Sequence, residues 1–206
     1  MPSNSFFMIK NLVFDFGKVL VDYNIEKFFY SLFGCEEDLL QFAAMTEREH
    51  FVNRLDKGEQ NTAELTAELQ AKYPQFAWHL QQFHDRHMEI IIGEIDGMRS
   101  LINEYRAKGY GIYGLTNWSE AVYEVRDKYD ILQMMDGTLI SSEEKLIKPD
   151  PAIFRRFCEK FSLDPAECLF TDDRPENIDG ARSVGMTAIL FRGPAQFAAD
   201  LRSALL

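Results

Sequence analysis

The stretch Asn11-Leu-Val-Phe-Asp-Phe-Gly-Lys-Val-Leu20 reads as a short buried strand over Lys10 to Phe14 that stops at a carboxylate, Asp15. Open α/β sheets gather reactive groups at the carboxyl ends of their strands, so Asp15 is a candidate site residue. Alone the sign is weak, because an Asp at a strand end commonly serves as a turn or cap residue. The chain beyond about residue 110 supplies the context. Tyr110 to Leu115, Gly137 to Ile140, Cys168 to Thr171 and Thr187 to Phe191 read as strands. Between them lie a helix over Pro151 to Phe161, opened by proline, and one over Asn177 to Val184, closed by Gly185. This alternation predicts a parallel sheet with helices on both faces.

The middle of the chain has a different texture. From about Ile25 to Ile92 it is rich in Glu, Gln, Leu, Phe and Ala and shows no strand alternation. Breaks at Gly34, Asp56-Lys-Gly58 and Tyr73-Pro74 divide it into four or five short helices, and Phe28, Phe29, Phe33, Phe42 and Phe51 read as their shared core. Met98 to Lys108 repeats apolar residues at helical spacing and stops at Gly109. The expected architecture is a doubly wound, Rossmann-like parallel sheet formed by residues 1–23 and 93–206. A small all-helical domain, residues 24–92, is inserted after the first strand.

Composition narrows the function classes. The chain has 206 residues, 46% of them hydrophobic and 27% charged, enough for a proper apolar interior. A formal net charge of −11 argues against broad binding to nucleic acid or to anionic membranes. It leaves phosphorylated substrates open, because one lysine and a bound cation can reverse the potential locally. Cys35, Cys158 and Cys168 are odd in number and widely spaced, fit no zinc pattern, and suggest reduced thiols in a cytoplasmic protein. Residues 1–10 lack a basic region followed by a long apolar run, so no signal peptide is expected, and no apolar stretch is long enough to span a bilayer.

Four polar clusters fall at or just after strand ends: Asp15, Thr116-Asn117, Lys148 and Asp172-Asp173. In a parallel sheet those ends share one edge, so the clusters converge. The set comprises a nucleophilic carboxylate, a hydroxyl and amide for oxyanions, a lysine and two further carboxylates. Crowded carboxylates repel one another, and a hard divalent cation such as Mg²⁺ relieves that repulsion. Such a site suits attack of Asp15 on phosphorus and hydrolysis of the resulting aspartyl-phosphate by water.

These residues resemble the motifs of the haloacid dehalogenase superfamily of hydrolases. Phe14-Asp-Phe-Gly-Lys-Val-Leu20, Leu115-Thr-Asn117, Lys148-Pro-Asp150 and Thr171-Asp-Asp-Arg-Pro-Glu-Asn-Ile178 occur in that family's order across nearly the whole chain. The helical insert occupies the place of its small cap domain, and the first motif, Asp-x-Gly, is similar to that of a bacterial branch of sugar-phosphate phosphatases. The resemblance makes Asp15 the nucleophile and a metal ligand. Gly17 would offer its backbone carbonyl to Mg²⁺, and Asp173 would be the acidic metal ligand of the last motif. Asp172 would sit beside it on the metal or hold a bound water. Thr116 and the Asn117 backbone would bind phosphoryl oxygens, and Lys148 would neutralise developing charge. Trp118 should face the cleft. Asn177 stands where relatives often carry Asp.

The residue two after the nucleophile, which in many relatives is an Asp that handles the proton, is here Gly17. Three readings follow. The chain is an Mg²⁺-dependent phosphatase for a small phosphorylated metabolite, with hexose 1-phosphates implied first by the resemblance. Alternatively it is a metal-independent 2-haloacid dehalogenase, or a non-catalytic relative that binds phosphorylated ligands. The adjacent Asp172-Asp173 pair opposes the dehalogenase reading, and the intact nucleophile, lysine and acidic pair oppose the third. Among minor candidates, Trp118, Tyr23 and Glu49-His50 are considered for substrate binding and discrimination. His84 and His87 share a helix face without a third metal ligand.

Overall fold

In chain order the strands of this computed structural model are Asn11–Phe14 (β1), Val21–Tyr23 (β2), Ile91–Glu94 (β3), Gly111–Thr116 (β4), Gly137–Ile140 (β5), Cys168–Asp172 (β6) and Thr187–Leu190 (β7). The structure describes residues 8–205. Residues 1–7, which carry most of the segment read for a signal peptide, and Leu206 lie outside it. Five strands form one sheet in the order β5-β4-β1-β6-β7, and every pairing in it is parallel. β1 is central, with Leu12 opposite Ile112 on one side and Leu169 on the other.

The helices are Ile25–Tyr30 (α1), Glu36–Arg48 (α2), Phe51–Asp56 (α3), Thr62–Lys72 (α4), Ala77–Arg86 (α5), Met98–Ala107 (α6), Val122–Lys128 (α7), Ser141–Glu144 (α8), Pro151–Phe161 (α9), Pro175–Ser183 (α10) and Pro194–Ala204 (α11). Successive residues of a strand point to opposite faces, and β1 shows what that demands in a sheet covered on both sides. Leu12 and Phe14 join one core with Met98, Ile102, Val125 and Phe197. Val13 joins the other, with Phe154, Phe157 and Ile178. Fully burying each such side chain contributes about 1.5–3 kcal/mol, which is why an uninterrupted apolar run becomes the central strand.

The insert has a third core of its own. Phe28, Phe42 and Phe51 are buried there with Leu65, Leu69 and Leu80, and Phe29 and Phe33 pack against them, as the phenylalanine stripe predicts. His79 stacks on Phe33 with ring centroids 4.0 Å apart, an apolar setting that holds its imidazole pKa down.

Three features depart from the sequence reading. β2 and β3 pair antiparallel with each other, so the span read as helical to Ile92 turns extended at Ile91. Both crossings between sheet and insert pass through this ribbon. A helix, α11, ends the described chain, and its Phe197 and Leu201 are fully buried. The chemistry of Asn117 and Ser119 suits a cap for the helix after β4, but that helix begins only at Val122 with no side-chain cap, and Ser119 Oγ accepts the Ala121 N–H at 3.3 Å just ahead of it. The Asn117 side chain is held by Lys148 instead, accepting from its backbone N–H at 2.8 Å and donating to its carbonyl at 3.0 Å. No described helix is long and apolar enough to cross a membrane.

Candidate active site

β1, β4 and β6 end side by side, and the four polar clusters meet at that edge. Asp15 follows β1 directly, and its backbone N–H donates to the Thr171 carbonyl of β6. Its Oδ1 accepts the Phe16 N–H at 2.7 Å and lies 3.0 Å from Lys148 Nζ. No described residue donates to Oδ2, so one oxygen is fixed and the other is available. Lys148 has a side chain only 1% exposed, and its ammonium also donates to Asp172 Oδ2 at 2.7 Å and to the Leu115 carbonyl at 3.0 Å. The Asn117 side chain clasps the Lys148 backbone from both sides, which fixes where the ammonium arrives.

Asp172 is fully buried and its oxygens are taken. Oδ1 accepts from the Arg174 N–H at 2.9 Å and from Asn177 Nδ2 at 2.9 Å, and Oδ2 from Lys148 and from Asn177 at 3.0 Å. Burial pushes its pKa up, but the Lys148 ammonium and these donors outweigh burial and hold it below the usual carboxylate range. Asp15 moves the other way. Burial pushes its pKa up, the Lys148 ammonium pulls against that, and the nearby Asp172 charge adds to the rise. The shared ammonium therefore favours Asp172, which is closer to it and better donated to. Burial also disfavours the Lys148 charge, and the two carboxylates reverse that, so the lysine stays ionised. Asp173 is half-buried; desolvation and the Asp172 charge raise its pKa.

A cleft of about 380 Å³ opens on this edge, between sheet and insert. Asp15, Gly17, Asn117, Trp118, Lys148 and Asp173 line it from the sheet side. Thr116 lies beneath, 1% exposed, with its Oγ1 buried and unpartnered among the described residues. A buried hydroxyl without a partner is unfavourable unless a ligand completes it. Tyr23 and Trp118 meet edge to face at 6.4 Å over Gly17. A Cβ at Gly17 would come within 2.8 Å of Tyr23 Cε1, so the tyrosine ring fills the direction a side chain there would take.

Several lining residues had no cleft role in the sequence reading. Asp56, Phe83 and His87 come from the insert and Arg174 from the loop after β6. Asp56 had one readable sign, its place just ahead of the break at Gly58. His87 had been considered only as a metal ligand. Glu49 and His50, considered for substrate discrimination, do not line the cleft: Glu49 is bound to Lys72 at 2.8 Å and to the Tyr73 hydroxyl at 2.5 Å.

The donor set fits a hard divalent cation. One carboxylate oxygen each from Asp15, Asp172 and Asp173 lies within 4.8 Å of the others. All are hard oxygen ligands, as Mg²⁺ prefers. Asp172 is the least available of the three, since both of its oxygens already accept hydrogen bonds. The free oxygen of Asp15 and the carboxylate of Asp173 carry fewer prior commitments.

Comparison with known proteins agrees with this geometry. The family model described as haloacid dehalogenase-like hydrolase matches residues 9–185. The flavin mononucleotide hydrolase 1 of Arabidopsis thaliana is 29% identical over 107 residues, covering 52% of this chain and 44% of that protein. The chain spans less than half the length of the curated relatives it matches most strongly. Among solved structures, a HAD family enzyme from Bacteroides thetaiotaomicron superposes with a TM-score of 0.79 at 20% identity, covering 95% of this chain and 99% of that one. An Asp-to-Ala mutant of the same enzyme, in complex with magnesium and inorganic phosphate, superposes with a TM-score of 0.69 at 21% identity, covering 90% and 95%. With the model spanning most of its length and the sheet edge assembled as described, this chain belongs to the haloacid dehalogenase-like hydrolases.

Proposed function

We propose that the protein is an Mg²⁺-dependent phosphatase acting on a small phosphate monoester. The observation that carries this reading is the buried ion network in which Lys148 bridges Asp15 and Asp172, with Asp173 alongside and one Asp15 oxygen uncommitted. Asp15, Asp173 and the Gly17 carbonyl would hold the metal, which when bound supplies charge neutralisation for the phosphoryl group. Asp172 serves mainly to orient Lys148. Asp15 attacks phosphorus, Lys148 offsets the charge on the equatorial oxygens, and Thr116 Oγ1 with the Asn117 N–H receives those oxygens. Water then hydrolyses the aspartyl-phosphate.

Three carboxylates around one position favour a phosphoryl group with a cation over a haloacid, whose own carboxylate would meet uncompensated negative charge. The cleft volume falls in the range of small-molecule sites, roughly 300–1,000 Å³. Its walls are mixed. Leu55, Phe83 and Ile90 are apolar, while Asn53, Thr62 and His87 offer polar contacts, so hexose 1-phosphates belong in a panel beside aryl and prenyl phosphates. The names of relatives, a flavin mononucleotide hydrolase and a sesquiterpene phosphatase, support the same breadth. The deciding assay is phosphate release from 4-nitrophenyl phosphate and that panel, with Mg²⁺ or EDTA, by wild type and Asp15→Asn. Activity is expected only for wild type with Mg²⁺. Phosphate release that survives EDTA or the substitution refutes the reading.

A further inference from the structure

Position 17 leaves the site without a proton carrier, and the insert provides a carboxylate at the same cleft. Resting on the phosphatase reading, we propose that Asp56, held in place from the insert, is the general acid that protonates the departing oxygen. Asp56 ends α3 and lines the cleft together with Asp15, Lys148 and Asp173. Lys148 and Arg174, both from the sheet side, act on it electrostatically. Tyr23 lines the same cleft as Asp15, Asp56 and Asp173.

The segment that carries Asp56 is anchored to the sheet side by its backbone. Ser141 Oγ donates to the Asp56 carbonyl at 2.5 Å, Lys145 Nζ donates to the Gly58 carbonyl, and the Thr62 N–H donates to Glu120 Oε1 at 2.6 Å. Gly58 adopts φ +64°, and a Cβ there would lie 2.2 Å from the Ser142 carbonyl oxygen. The carboxylate itself forms no ion pair with a described residue. Burial in the cleft raises its pKa to about 7 against the pull of Lys148 and Arg174, so it can both give and take a proton near neutrality.

The other proton carriers at the cleft fit less well. Burial and the neighbouring carboxylates push the Tyr23 phenol up to about 12, which holds its proton too tightly for ready donation to the leaving oxygen. His87 has Nδ1 against the His84 carbonyl at 3.1 Å and Nε2 3.4 Å from Glu124.

The step balances without a further reactant. As an Asp15 oxygen bonds to phosphorus, the P–O bond to the leaving group breaks and its electron pair takes the Asp56 proton, releasing a neutral alcohol. The Asp56 carboxylate then accepts a proton from the water that attacks phosphorus. Cleavage of the P–O bond to Asp15 yields inorganic phosphate, a restored Asp15 carboxylate and protonated Asp56.

The test compares kcat/KM for 4-nitrophenyl phosphate, whose leaving group needs no proton, with that for n-butyl phosphate, whose leaving group does. Wild type, Asp56→Asn, Asp56→Glu, Tyr23→Phe and Asp15→Asn are assayed with Mg²⁺. Asp56→Asn is expected to lower the butyl value by ~10²–10⁴-fold while leaving the nitrophenyl value within about tenfold. It also abolishes the fall of butyl kcat/KM on the alkaline side of the profile, and Asp56→Glu restores part of the rate. Equal losses on both substrates, as misfolding would give, overturn the assignment. So does a leaving-group dependence that follows Tyr23→Phe, or a wild type that cleaves the nitrophenyl ester but not the butyl one. The phosphatase reading fails separately, and takes Asp56 with it, where wild type releases no phosphate or Asp15→Asn keeps its rate.

Discussion

Replacing Asp56 by Asn should make the folded protein more resistant to unfolding at neutral and alkaline pH, and not at acid pH. The carboxyl of Asp56 is pushed from 3.8 to about 7 in the fold. Between those values the unfolded chain has lost its proton while the folded chain keeps it, so stability falls as pH rises. At about 1.4 kcal/mol per unit, the three-unit shift sets an upper limit of about 4 kcal/mol. Asp56 is only half-buried and faces cleft water, and screening reduces the expected gain to about 1–3 kcal/mol. Asn does not titrate, so the difference between variant and wild type opens from about pH 4 to about pH 7 and then stays level. Urea unfolding of both proteins in EDTA, at pH steps from 4 to 9, isolates this difference because the other titrating groups are common to both. The acid end measures any steric offset of the amide. Parallel stability curves across the whole range would refute the reasoning, since they mean that Asp56 titrates alike folded and unfolded.

Further substitutions probe other parts of the site. Lys148→Met leaves Asp15 and Asp172 facing each other without their shared ammonium, and should cost roughly 3–5 kcal/mol in urea unfolding as well as phosphate release. Gly58→Ala places a methyl against the Ser142 carbonyl at a positive φ, so kcat/KM should fall at least tenfold while far-ultraviolet circular dichroism stays unchanged; wild-type kinetics would show that the segment is not seated as described. Gly17→Asp alone should not raise kcat, because Tyr23 fills that direction, whereas adding Tyr23→Ala should make the new carboxylate useful to n-butyl phosphate. Steady-state rates of the single and double variants decide it, and a faster single variant contradicts the packing.

Much of the sheet was legible in the chain because its signals are local. Leu12, Val13 and Phe14 form an apolar run that only a two-sided interior accommodates, and Pro151 and Gly185 mark a helix start and stop by their own backbone limits. The strand-end clusters were readable too, because a parallel sheet brings them together whatever the loops do. What escaped depends on distant partners. Val21–Tyr23 is too short to alternate visibly, and its partner strand begins at Ile91. Asn117 has the chemistry of a helix cap, and the Lys148 backbone claims it instead. Asp56 looks like an ordinary polar helix end until the Ser141 contact fixes its carbonyl and leaves its carboxyl at the cleft.

The manner in which that segment is tied down bears on how readily the enzyme could acquire new substrates. The insert contributes the carbonyls of Asp56 and Gly58, while Ser141 and Lys145 on the sheet side contribute side chains. A fastening that uses main-chain oxygens on one partner is indifferent to most side chains along that partner. Lys57 and Glu59 are exposed, and Asn53 at the cleft takes no part in the fastening. These positions can be randomised in a library while the seat survives, with Gly58 alone fixed by its conformation. Selectivity is thereby separated from assembly: Asn53, the one of these three at the cleft, can be varied for new substrates while the segment stays seated.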